Sequence, residues 1–452
     1  MKLEKGKAEE RKGNMSKIFK NMIPYWKSIV IIIALLFVQA WCDLSLPSYT
    51  SDIIDVGIQN NGVEHIVPEA LTAEAFETAE LFMTDEEADL WESIYEQDGD
   101  IYRLQVTSKS ELNEIDDTLA VPLIMNYQMS VMEDSEVKEH VAKPTGADAG
   151  TLEKNTLLSM RDSMEETIDT MGSSLVKSMG AAYAVSCDKA AGLDVEKIQK
   201  NYLVTAGLKM VGMALMIGIV TVLVGFFASR VGAGIGRTLR EKVFKQVVGF
   251  SNAEMDKFST ASLITRSTND IQQIQMVSVM LLRMVAYAPI LGVGGVLKVM
   301  QTGAGMGWII VLAILVILGY VMVLMAVTMP KFQLMQKLVD NINLVSREIL
   351  TGLSVIRAFG REKKEEDRFD VANKDLTKTM LFTNRVMTFM MPGMMMIMNV
   401  LSVGIVWVGA HKIDAGTMQV GAMTAFITYA MMIVMSFLML TMMSIMLPRA
   451  AV

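Results

Sequence analysis

Six stretches of roughly 20 or more mostly apolar residues constrain this chain more than any other feature, at residues 23–49, 202–228, 276–300, 308–329, 386–410 and 420–447. A helix rises about 1.5 Å per residue, so each stretch is long enough to cross a hydrocarbon core of ~30 Å. No water-soluble core needs six of them, and 52% hydrophobic residues over 452 agree with lipid as part of the solvent. The expected fold class is an all-α membrane protein of six spans embedded in the lipid bilayer. The first stretch is too long for a removable signal peptide, and no small-x-small site follows it. Cys42 is preceded by Trp41 where lipidation requires a small residue, and Cys187 is the only other cysteine.

The formal charge of −8 conceals a segregation. Residues 52–202 hold 32 acidic and 10 basic side chains, a balance of −22, while the rest of the chain sums to +14. The basic N-terminus, with Lys2, Lys5, Lys7, Arg11, Lys12, Lys17 and Lys20, predicts a cytoplasmic start by the positive-inside rule, and six spans return the C-terminus to the same side. The loops agree: residues 230–270 carry seven Lys or Arg and 331–385 carry eleven, whereas 301–307 carry none. The chain therefore divides into an N-terminus and first span (1–60), an extracytoplasmic insert (61–200), and spans two to six with two long cytoplasmic loops (201–452).

Those loops have a shape. Ile235, Leu239, Val243 and Val247 repeat every four residues, and Leu334, Leu338, Ile342, Val345 and Ile349 every four and three, which predicts amphipathic helices. Two helical hairpins of about 25 residues per arm would project on the order of 35 Å from the membrane. The insert is expected to be mainly helical, with capping boxes at Thr84–Glu87 and Ser108–Glu111 and a strand within 102–106.

The residues in the loops then carry a resemblance. SNAEMDKFSTASLITRSTNDIQQIQ (251–275) resembles the first intracellular loop of ABC exporters, with Ser259-Thr260-Ala261 standing where that family often has Ser-Thr-Gly. REILTGLSVIRAFGREKKEEDRF (347–369) is similar to the second, with Glu348, Gly352, Ile356, Phe359, Glu362 and Phe369 at matching spacing. The resemblance covers about two thirds of the chain and leaves out the acidic insert. It implies a transmembrane half that pairs with a second half-transporter, as heterodimer or homodimer, with spans four and five crossing to the partner. It also implies that each loop tip is a coupling helix for an ATPase domain, the first at Asn252, Glu254, Met255, Asp256 and Phe258, the second at Arg347, Glu348, Gly352 and Ser354. Solvated loop charges are the plainer reading of Glu254, Asp256 and Glu348.

No phosphate-binding loop occurs in the chain, since RVGAGIGRT from Arg230 lacks the four-residue gap before Gly-Lys and reads as a helical extension of span two. The resemblance implies that ATP and Mg2+ are bound by an ATPase domain following residue 452, and no catalytic residue is assigned here. His65, His140 and His411 are too scattered for a metal site. Substrate contact is expected from charges within spans, Asp43 and Arg283, whose depths differ by on the order of 20 Å. Structural pairing of Asp43 and snorkelling of Arg283 stand beside that reading. The methionines of spans five and six, Met394 and Met435 among them, are candidates for a pliable cavity wall, core filler being the alternative. The expected function is export of a small molecule, lipid or peptide across the bacterial cell membrane, with no nucleic-acid partner. The alternatives are a receptor with an external sensory domain and an ATP-independent permease.

Overall fold

A computed structural model describes residues 21–131, 173–255, 258–302 and 305–450. Among them six helical segments have the length and apolarity of membrane spans: Ile23–Gln59, Val195–Val248, Thr260–Gln301, Gly307–Thr351, Glu362–Asp414 and Val420–Met443. They are referred to as spans one to six. Span two is a single helix of 54 residues, roughly 80 Å long, so well over half of it extends past a bilayer. Its apolar side chains are largely uncovered, with Leu215, Ile219 and Val222 all more than 60% exposed, a surface that suits lipid and not water.

The spans are held by two cores at different levels. Near the insert, Leu44 of span one joins Leu291, Ile317, Ile405, Phe426 and Ile433 from spans three to six. Toward the loop tips, Ile32 and Leu36 of span one pack with Val220, Val224, Ala228 and Ile235 of span two and Leu282 of span three. The tip-side helix of span five, Glu362–Thr388, packs along span four. Spans four and five therefore meet the others near the insert and separate from spans one to three toward the tips.

The glycine-rich stretch of span two makes part of this packing. A Cβ at Gly232 would lie 2.5 Å from Val279, and one at Gly236 would lie 2.6 Å from the Gln275 side chain, so their lack of side chains lets spans two and three approach. Ile235 is buried and Leu239, Val243 and Val247 are half-buried, the stripe their spacing predicts.

Between spans one and two the chain builds a separate core of Leu71, Phe76, Trp91, Tyr95, Leu119 and Tyr183. Thr84 and Glu87 form the capping box read from sequence. The strand expected within 102–106 lies at Ile101–Leu104 and belongs to a three-stranded antiparallel sheet with Tyr95–Asp98 on one side and Ala70–Thr72 on the other. Asp188 is fully buried against this sheet. One carboxylate oxygen accepts the Ala70 N–H at 2.9 Å, the other has no hydrogen-bond partner among the described residues, and burial pushes the group up to about 7.

The insert is also tied to the spans. The Leu175 N–H donates to the Gly416 carbonyl at 3.0 Å in the turn before span six, and at the insert's base the Gln199 side chain of span two donates to the Gly57 carbonyl of span one at 2.8 Å.

Candidate functional site

Span three supplies one long wall of a cavity of about 600 Å³, which Leu36 and Gln39 of span one, Thr221 and Val224 of span two and Met439 of span six complete. Gln272, Gln275, Met276, Met280, Arg283 and Tyr287 recur at helical intervals along that wall. Over Leu281–Val285 the helix widens to π geometry, closed by the Ala286 N–H on the Leu281 carbonyl, and Pro289 one turn on has no N–H to return to Val285. Arg283 thus sits in a locally rewound turn and faces the cavity.

Arg283 is the one ionisable side chain besides Tyr287 on the cavity wall, and among the described residues it makes no ion pair. The expected depth difference of about 20 Å between Asp43 and Arg283 is not found, because span three begins at Thr260 and carries Arg283 well along its length: Asp43 accepts the Tyr287 hydroxyl, so the carboxylate of span one is fastened to span three one turn beyond Arg283. Tyr287 escaped sequence reasoning because nothing local marks a tyrosine as a partner for a residue 244 positions away. Met394 is 2% exposed inside the insert-side core, and Met435 is partly exposed on span six; neither lines this cavity. The thioethers that do are Met276, Met280, Met284 and Met439, three of them on span three.

At the far ends of spans two and four stand two short helices. The first is Asn252–Met255. Glu254 fixes its start, accepting the Ser251 N–H at 2.8 Å and the Ser251 hydroxyl at 2.9 Å, and these donors hold its carboxyl below the usual range. Phe258 stacks on Phe250 at 5.7 Å between ring centres, with the Arg266 guanidinium 5.5 Å over its ring. Asn252 and Met255 remain exposed, and Asp256 lies outside the described residues.

The second tip corrects the expected register. Arg347 and Glu348 occupy the last turns of span four, which ends at Thr351, and the short helix runs over Leu353–Ala358. Gly352, a poor helix former, sets the break, its N–H returning to the Glu348 carbonyl at 2.9 Å. Gly360, at φ +63°, ends the helix in the left-handed conformation that glycine tolerates. Glu348 takes the Arg368 guanidinium at 2.6 Å, bracing span four against span five beside the tip. Ser354 is exposed, as are Leu350, Val355 and Phe359, the last at 76%. Sequence spacing marks Phe359 alone of these three, although apolar side chains beside a glycine stop on a basic loop are a visible signal. Met255 and Phe359 each place uncovered apolar surface at the end of a long helical arm.

Six spans, two cores and a cavity between spans one, two, three and six define a multi-pass α-helical membrane protein with two long helical arms. Residues 172–437 match the family described as the ABC transporter transmembrane region, and the chain belongs to that family. It is 34% identical over 279 residues to an uncharacterised ABC transporter ATP-binding protein of Mycobacterium tuberculosis, covering 62% of this chain and 48% of the relative. It is 29% identical over 224 residues to an uncharacterised ABC transporter ATP-binding protein of Bacillus subtilis, covering 50% of this chain and 39% of the relative. It is 23% identical over 228 residues to an ATP-dependent lipid A-core flippase of Chromohalobacter salexigens, covering 49% and 38%. The chain spans about half the length, or less, of the curated relatives it matches.

Proposed function

We propose that this chain is the translocating half of an ATP-driven exporter in the bacterial cell membrane, working with a second half-transporter. The observation that carries the reading is the pair of tip helices, Asn252–Met255 and Leu353–Ala358, each held out on a long helix and each bearing exposed apolar residues. Such tips make physical sense as contacts for a domain that pushes on them. ATP and Mg2+ belong, in this reading, to a nucleotide-binding domain following residue 452. Support comes from relatives that carry ATP-binding in their names and of which the match covers 48%.

A second copy or a related half would fill the space left where spans four and five diverge from spans one to three. Asn252, Glu254, Met255, Asp256, Phe258, Arg347, Glu348, Gly352 and Ser354 then transmit closure of the ATPase domains to the spans as rigid-body motion. Arg283 and Asp43 flank the substrate path, and Met394 and Met435 enter it only if the spans rearrange. The insert is extracytoplasmic and both termini are cytoplasmic, in keeping with the charge asymmetry of the loops. The substrate is a small molecule, lipid or peptide.

Inside-out vesicles carrying the full-length protein test this directly. ATP, and not its non-hydrolysable analogue, should drive uptake of a fluorescent amphiphile into the lumen. Uptake that follows a proton gradient and ignores ATP would favour an ATP-independent permease.

A further inference from the structure

We infer that the insert is a reversible clasp: it is built rigidly onto spans one and two, and its return helix, Ser173–Ala190, holds the turn before span six through a contact that opens during transport. The inference rests on the transporter reading for what the opening serves, but the contact and its opening are measurable without ATP.

The fixed side of the clasp is covalent and buried. The insert leaves span one after Gln59 and rejoins span two at Val195, and these two ends are closed on each other. Gly62 turns at φ +85°, and a Cβ there would lie 2.7 Å from the Gln199 Cα, so the bare glycine lets the chain turn against span two. The return helix is locked into the insert in turn. Its Tyr183 and Cys187 belong to the insert core, the Asn126 side chain donates to the Tyr183 hydroxyl at 3.1 Å, and Asp188 accepts the Ala70 N–H at 2.9 Å. Gly180 lies so close to Ile66 that no side chain fits between them. A body packed this way moves as one piece with spans one and two.

The side that meets span six is different in kind. Gly416, at φ +69°, follows the end of the helix Met390–Asp414, and its carbonyl takes the Leu175 N–H at 3.0 Å. A Cβ at Gly416 would lie 2.8 Å from the Leu175 Cβ, so a glycine is what admits the leucine. Three residues on, the Gln419 side chain donates to the Ser178 hydroxyl at 3.4 Å. Among the described residues the fastening is thus one backbone bond, one long side-chain bond and a leucine that is still 38% exposed. Contacts of this size open and re-form without unfolding what they join. Just beyond, Asp55 of span one accepts the Gly421 N–H, so span six parts from span one only when both points let go. The joint therefore lies between Leu175 and Ser178 on the insert and Gly416 and Gln419 on the turn.

The pair Ser178→Cys and Gln419→Cys, in the full-length protein with Cys42 and Cys187 replaced by serine, tests the clasp with a short bifunctional thiosulfonate that bridges the two thiols reversibly. In the resting protein without ATP, a protease digest should contain a peptide linking positions 178 and 419. Hydrogen exchange at residues 174–178 and 415–419 should slow on linkage, while exchange at 63–72 stays the same. In inside-out vesicles the linked protein should take up a dansyl-labelled alkylamine with ATP about tenfold more slowly or worse, because a step that cannot complete limits the cycle. Reduction of the bridge should restore uptake, which also shows that the variant is folded, and each single cysteine treated with the reagent should keep it. Absence of the linked peptide, exchange unchanged by linkage, or uptake by the linked protein equal to that of the unlinked one would overturn the clasp. Uptake already missing from the wild type and the unlinked variant, with linkage and slowed exchange intact, would instead count against the transporter reading alone.

Discussion

Asp55, at the insert end of span one, closes the start of span six: its carboxylate accepts the Gly421 N–H at 2.6 Å and the Ser51 hydroxyl at 3.1 Å, and it is 5% exposed. The first backbone donors of a helix have no partner within the helix, so a buried carboxylate supplied from another span satisfies one of them and favours the positive end of the helix dipole. Tyr429 repeats the connection one level deeper, donating to the Leu44 carbonyl at 2.9 Å. Spans one and six are thus fastened to each other beside the insert.

Asp55→Ala should therefore lower stability by about 1–2 kcal/mol, the range for losing a helix cap, and Asp55→Asn by less, since an amide oxygen still accepts. Thermal unfolding followed by circular dichroism in detergent reads the difference. A change in Asp55→Ala within error of zero would mean that water replaces the cap.

The insert should respond to pH through Asp188. Burial raises its carboxyl to about 7 in the folded protein, whereas the unfolded carboxyl titrates near pH 4. The folded state therefore holds an extra proton between these values. The stabilisation is full below about pH 4 and is lost as the pH rises through about 7. Asp188→Asn keeps an acceptor for Ala70, so its unfolding temperature should change less than the wild type's across that window and should exceed the wild type's at pH 8. A wild-type insert that instead gains stability over the same window would contradict the assignment.

Sidedness is tested by chemistry at two positions. With Cys42 and Cys187 replaced by serine, a cysteine at Gly99, in the turn between two strands of the insert, should react on intact cells with an impermeant thiol reagent. A cysteine at Lys364, beside the second tip, should react only after the cells are opened. Labelling of position 364 from outside would reverse the orientation and remove the coupling role of the tips.

What the sequence made visible was whatever repeats locally. Six apolar runs announce six spans, and the stripe through Ile235, Leu239, Val243 and Val247 announces a long arm, because both are properties of consecutive residues. The capping box at Thr84–Glu87 was legible for the same reason. The strand Ala70–Thr72 was not, since three residues carry no periodicity and pair with Ile101–Leu104 only through the fold. The Asp43–Tyr287 and Asp55–Gly421 contacts were hidden likewise, each joining residues hundreds of positions apart. At the second tip the family spacing marks Gly352 but gives no means of telling which side of it the short helix occupies, and the helix lies at Leu353–Ala358.

One measurement addresses the proposed coupling role of the two tips most directly. In proteoliposomes of the full-length transporter, ATP hydrolysis and substrate uptake are recorded together for the wild type and for a variant in which residues 252–255 and 353–358 are replaced by Gly-Ser repeats. The expected result is hydrolysis that persists while uptake falls to the level seen without ATP, because the spans no longer feel closure of the ATPase domains. Uptake in the variant equal to that of the wild type would contradict it.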